Sequence, residues 1–391
     1  MSTTFIEGSI AVAKTVAISR PHVVAAYPIT PQTHIIEHLS ELVANGELKA
    51  EYVNVESEHS AASVVLGASA TGARTYTATT SQGFLLMIEV LFNIAGMRLP
   101  VVMTCVNRAV SAPINIWNDQ QDSMTARDSG WIQLYAEDNQ EASDMHLQAF
   151  KIAENKDILL PVMVCMDGFV LTHSFDPVEL ISQEQADKFL PPFKPEYYLT
   201  PKNPLSMGTM VGPEAYMETR YFIEKTMRAS LQVISDVATD FHNQFGRFQG
   251  GLIDTYKVED ATLVLVAMGS IIGTIKDIVD ELRAKGQKVG VLKVRSYRPF
   301  PKDEIYKALN HVKEIAVVEK AVSLGYGGIL VNEIKSVFYG KPKTPKINGF
   351  ILGLGGRDIT VDTIHQVIKE TTKAASEEKF VGLNEALIGG K

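Results

Sequence analysis

The corner Tyr-Pro-Ile-Thr-Pro at 27–31 separates an apolar, strand-like run from a helix-like one. Thr30 before Pro31 predicts a helix start, with threonine as N-cap and proline at the first helical position. A helix N-terminus offers free N–H groups and partial positive charge, at the edge where open α/β sheets take ligands. Thr30 would suit a carboxylate there, although a cap alone also explains it. Glu56 and Glu58 lie at a second such junction, followed by the small residues Ser60, Ala61, Ala62 and Ser63. They are either capping acids or a buried acid that shares a proton with a ligand. Gly83, in Thr-Thr-Ser-Gln-Gly, would let backbone approach a ligand, but loops of this composition are common. Arg108 opens an aperiodic segment to Trp131 that also holds Trp117, Asp119, Asp122 and Arg127. Long loops are usually functional or disordered, and the aromatic content argues against disorder. Arg108 could clamp a carboxylate with two prongs, or pair with an aspartate of its own loop.

The elements that would place these residues alternate between apolar strands and helices. That rhythm predicts a parallel sheet with helices on both faces. The spacing of Ile35, Ile36, Leu39 and Leu42 is helical. A first α/β domain is expected over 1–175. An extended, proline-rich connection with helices follows over 176–255, and a second α/β domain over 256–391. The Ser-Gln-Gly at 81–83 is expected to be a loop, followed by one helix over 84–97.

The formal net charge of the 391 residues is −8, with no Lys/Arg run, so no nucleic acid partner is expected. Cys105 and Cys165 sit in apolar runs and cannot alone hold a cluster or zinc. No metal site is expected on this chain, since its histidines lack ligand spacing. The Gly-rich stretches at 267–274 and 353–360 match neither a Walker loop nor a dinucleotide fingerprint. No run of about 20 apolar residues predicts a membrane span. The N-terminus lacks the basic-then-apolar pattern of a signal peptide, so a cytoplasmic location is expected.

In order, YPITP, ESEHSAASVVLGASATGARTYTATTSQG, NRAVSAPINIWNDQQD and GLGGRD resemble the α chains of the 2-oxoacid:ferredoxin oxidoreductases, and most of all those acting on pyruvate. The likeness runs from about Ile6 to the GLGGRD region. It implies two doubly wound domains: a pyrimidine-binding thiamine diphosphate fold, then a domain of the transketolase C-terminal type. It makes Glu58, not Glu56, the acid that contacts the cofactor's aminopyrimidine ring, with Pro28 and Gly83 also beside the cofactor. It gives Thr30 and Arg108 the substrate's carboxylate and keto oxygen.

The GDG…NN-type motif that binds diphosphate and magnesium in this family is missing, as are four-cysteine sets. The resemblance therefore implies that thiamine diphosphate is shared with a β chain. Mg2+ and the 4Fe-4S clusters would lie on partner chains of β, γ and δ type. Pyruvate, coenzyme A and ferredoxin are the implied reactants, with carbon dioxide and acetyl-CoA as products, reversibly. Another 2-oxoacid, or a non-catalytic scaffold chain, stays open as an alternative. A plain dinucleotide-binding protein does not fit.

Overall fold

A computed structural model describes residues 2–373 and 378–389. The chain opens with β1 (Ser2–Glu7), α1 (Gly8–Ile18), β2 (Val23–Ala26), α2 (Thr33–Ala44), β3 (Glu51–Asn54), α3 (Glu58–Ala70), β4 (Thr75–Thr79), α4 (Ser81–Leu86), α5 (Ile88–Gly96) and β5 (Val102–Asn107). It continues through α6 (Gln121–Thr125), β6 (Ile132–Tyr135), α7 (Asn139–Ala153), β7 (Val162–Asp167), β8 (Phe175–Leu180), α8 (Gln183–Phe189) and α9 (Pro213–Phe245). The remainder is β9 (Ile253–Tyr256), β10 (Leu263–Ala267), α10 (Ile271–Ala284), β11 (Val289–Val294), β12 (Ser296–Arg298), α11 (Lys302–Leu309), β13 (Glu314–Glu319), α12 (Ile329–Phe338), β14 (Lys346–Ile351), α13 (Val361–Thr372) and β15 (Lys379–Phe380).

A seven-stranded sheet has the order β12-β6-β7-β5-β4-β2-β3, parallel except for β12. A six-stranded sheet has the order β15-β14-β13-β10-β11-β9, parallel except for β9. The central strands β5 and β7 are buried along their whole length, as strands covered on both faces must be, and this is why they read as unbroken apolar runs. The α2 helix buries Ile35, Ile36, Leu39 and Leu42. Cys105 and Cys165 are buried thiols in register on β5 and β7.

Three local expectations are corrected. Ser81 and Gly83 form the first turn of α4, and Met87 divides the expected single helix into α4 and α5. The stretch after residue 174 is not all connection: β8 pairs antiparallel with β1, and α8 starts with a Ser182–Gln185 capping box. The run at 288–301 reads in sequence as a strand and its exit loop, but the part after Val294 is not a loop. It forms β12, which crosses back to pair with β6 in the first sheet.

Buried ions join the second sheet and the residue that follows β11 to the start of α7. Lys293 donates to Glu137 at 3.0 Å and Glu141 at 3.1 Å, and Arg295 donates to Glu141 at 3.2 Å. No helix among the described residues is long and apolar enough to cross a membrane.

Candidate active site

Four of the sequence-predicted residues follow the C-terminal ends of four neighbouring parallel strands. Thr30 follows β2, Glu58 follows β3, Gly83 follows β4 and Arg108 follows β5. Chain order reverses around β2, which lies between β3 and β4, so the residues border a topological switch point.

At the β3–α3 junction, Ser57 is the N-cap and accepts from the Ser60 N–H at 3.2 Å. Glu56 is exposed and accepts from the Ser60 hydroxyl at 2.6 Å. Capping is thus done without Glu58, the first residue of the helix, which is only 7% exposed. Among the described residues, no hydrogen bond reaches its carboxyl. A Cβ on Gly83 would lie 2.4 Å from Glu58 Oε1, so only glycine leaves that carboxyl its place.

The expected N-cap role of Thr30 is corrected. The α2 helix begins at Thr33, with Gln32 in the N-cap position and no side-chain cap. Gln32 instead accepts from the Ile29 N–H at 3.2 Å and donates to the Ala78 carbonyl at 2.7 Å. These bonds tie the corner to β4, and the chain needs one further turn before the helix can start. Thr30 is exposed, as is Pro28. The Thr30 carbonyl accepts from Arg108 Nη1 at 2.8 Å.

Arg108 is 8% exposed and also donates through Nε to the Asn115 carbonyl at 3.0 Å. Burial lowers its pKa, and the charge of Asp122 opposes that. The expected alternative of an Arg–Asp pair inside the loop takes a different form here. Asp122 bonds the backbone N–H of Arg108 at 3.0 Å, while the guanidinium reaches carbonyl groups. Its Nη2 has no partner among the described residues and remains able to donate.

The aperiodic segment is ordered by residues distant in sequence. Asn115 donates to the Gly355 carbonyl at 3.1 Å, Asp119 accepts from the Gly355 N–H at 3.1 Å, and Asn118 accepts from the Gly356 N–H at 2.6 Å. A Cβ on Gly356 would meet Trp117 Cβ at 2.3 Å. The GLGGRD stretch is therefore a close-packed support for the Arg108 loop. Lys320, just beyond β13, donates to Asn118 at 2.6 Å and to Asp167 at 2.5 Å. Asp167 also accepts from the Ser270 N–H at 2.9 Å. Asn115, Asn118, Asp167 and Lys320 escaped the sequence reading, because the bonds Asn115–Gly355, Asn118–Asp167, Asn118–Lys320 and Asp167–Lys320 span 49 to 240 residues of chain.

A line of rings forms one flank. Trp117 lies 4.6 Å from Phe169, Phe169 lies 4.8 Å from His173, and His173 lies 4.6 Å from His34. His34 Nδ1 is 2.7 Å from the Glu7 carboxylate.

Two open, mostly parallel sheets, the first with Thr30, Glu58, Gly83 and Arg108 beyond the C-terminal ends of its neighbouring strands, define an α/β chain of the doubly wound class. Residues 15–239 match the family described as pyruvate flavodoxin/ferredoxin oxidoreductase, thiamine diphosphate-binding, and residues 261–364 match pyruvate:ferredoxin oxidoreductase core domain II. The pyruvate synthase subunit PorA of Methanosarcina barkeri is 54% identical over 390 residues, covering 98% of this chain and 97% of that one. A ketoisovalerate oxidoreductase subunit VorA of Pyrococcus horikoshii is 46% identical over 376 residues, covering 96% and 95%. Among solved structures, the 2-oxoglutarate:ferredoxin oxidoreductase of Magnetococcus marinus superposes with a TM-score of 0.71 at 20% identity, over 95% of this chain and 65% of that chain. A split-gene transketolase superposes with a TM-score of 0.55 at 13% identity, over 94% and 98%. The chain belongs to the pyruvate flavodoxin/ferredoxin oxidoreductase family and is an α-type oxidoreductase subunit with a thiamine diphosphate-binding fold.

Proposed function

We propose that this chain is the α subunit of a cytoplasmic pyruvate synthase. With partners of β, γ and δ type it would convert pyruvate and coenzyme A to acetyl-CoA and carbon dioxide. Two electrons pass singly to ferredoxin and the thiol proton is released; the reaction also runs in reverse. The observation that carries the reading is the buried, unbonded Glu58 carboxyl beside Gly83, at the same sheet edge as the Arg108–Thr30 contact.

These residues fit thiamine diphosphate. When bound, the cofactor supplies a carbon nucleophile to the keto group. Glu58 holds a proton at a nitrogen of the aminopyrimidine ring, and its burial keeps water from competing for that proton. Gly83 and Pro28 would bring backbone close to the ring when the cofactor is bound. The free Nη2 of Arg108 grips the substrate carboxylate until carbon dioxide leaves, and the Thr30 hydroxyl donates to the keto oxygen. Two buried cysteines fall short of the four thiolates that a 4Fe-4S cluster takes, which supports placing the clusters on partner chains; Mg2+ is placed there too, because the GDG…NN-type motif that binds it in this family is missing from the sequence.

The test is the assembled complex, purified without oxygen. Pyruvate- and coenzyme A-dependent reduction of ferredoxin is expected, and its absence with every 2-oxoacid overturns the reading. The VorA relative favours one second reading, a branched-chain substrate. A higher kcat/KM for 2-ketoisovalerate than for pyruvate would select it.

A further inference from the structure

The Asp122 side chain is wholly buried, and its two oxygens accept four hydrogen bonds. Oδ2 takes the N–H of Ser81 at 3.0 Å and the N–H of Arg108 at 3.0 Å. Oδ1 takes Asn107 Nδ2 at 2.9 Å and the N–H of Ser123 at 2.7 Å. Ser81 begins the helix whose third residue, Gly83, faces Glu58. It does so at φ +49°, a left-handed conformation unfavourable for serine, so something must hold it there. Its hydroxyl reaches the Ala109 carbonyl, a second tie to the same strand exit. We infer that Asp122 is a positioning residue that fixes, through one carboxylate, both the Gly83 turn against Glu58 and the strand exit that presents Arg108. This rests on the function proposed above and adds to it a residue that touches neither substrate nor cofactor.

The arrangement needs an acceptor on every side. Burial pushes the Asp122 carboxyl up to about 7, and the four donors work against that rise. An amide in its place turns N–H groups toward N–H groups and breaks two of the four bonds.

The test is Asp122→Asn in the assembled complex, beside Asp144→Asn as a control for stability. Asp144 is a buried acceptor for Arg247 and Gln249 away from the crevice. Asp122→Asn is expected to raise the KM for pyruvate and the half-saturating thiamine diphosphate concentration together, each about tenfold, with the KM for coenzyme A unchanged. Asp144→Asn is expected to lower Tm and leave all three in place. If Asp122→Asn lowers only Tm, the inference is overturned while the function stands. A wild-type complex inactive with every 2-oxoacid overturns both. Should D122N fail to assemble, Asn107→Ala removes one donor from the same carboxylate, and unchanged constants in that variant overturn the inference.

Discussion

Replacing Gly83 with alanine tests whether the Glu58 carboxyl must stand where it does. The new Cβ would lie 2.4 Å from Oε1 and 2.7 Å from both Cδ and Cγ of Glu58. Ordinary contacts run at roughly 3.5 Å, so the carboxyl retreats by about 1 Å. A displacement of that size at a reacting centre costs on the order of 100-fold in rate, or about 2.7 kcal/mol in the barrier. Stability changes less. Overpacking costs about 1–3 kcal/mol, and alanine in a helix returns about 1 kcal/mol relative to glycine. The net loss is at most about 2 kcal/mol, and the chain stays folded. The assay is pyruvate-dependent ferredoxin reduction by the assembled complex, read beside Tm. Gly67→Ala is the control, because a Cβ there meets nothing within 4 Å; it is expected to keep full activity and gain stability. If Gly83→Ala keeps more than about a third of wild-type activity, a loss of under about 0.7 kcal/mol, the carboxyl is not where the chemistry needs it.

The neighbouring residues yield further expectations. Glu58→Ala should lose at least about 100-fold in kcat with assembly intact, whereas Glu56→Ala, on an exposed side chain, should stay within about twofold. Arg108→Lys gives up the bond to the Asn115 carbonyl and the second prong. A loss of about 1.5–3 kcal/mol appears as a 10- to 150-fold higher KM for pyruvate in steady-state assays. Burial pushes Asp167 upward, but Lys320 and Ser270 outweigh it and hold the carboxyl below its ordinary range. Its folded pKa is thus below the unfolded value of about 3.9, so the stabilisation is complete at neutral pH and is lost as pH falls below about 4. Thermal unfolding from pH 7 to 3 should show that loss in wild type. Lys320→Met should lower stability by about 3–5 kcal/mol at pH 7, through the buried carboxylate it leaves unpaired.

Local pattern explains what could be read from the sequence. The β5 and β7 strands are unbroken apolar runs because both faces are covered, and α2 shows its buried stripe at helical spacing. The pairing of Glu58 with Gly83 was not legible from local rules, which treat Glu56 and Glu58 alike at a helix start. Only the resemblance singled out Glu58, and the structure adds that Ser57 does the capping. Thr30 misled because Thr-Pro satisfies the capping pattern, while the decisive contact, Gln32 to Ala78, spans 46 residues. Asp122 looked like any other acid of its loop. Its four partners converge from three segments, and no spacing encodes that.

The return of β12 to the edge of β6 has a consequence for synthesis of the chain. The first sheet lacks its last strand until residue 298 has left the ribosome, well after the 33-residue α9 helix has been made. Until then β6 presents a bare hydrogen-bonding edge, the kind of template that captures other nascent chains. A fragment ending near residue 255 would keep that edge permanently. It should therefore precipitate where the full chain does not, and the two α/β halves are not modules that can be exchanged separately.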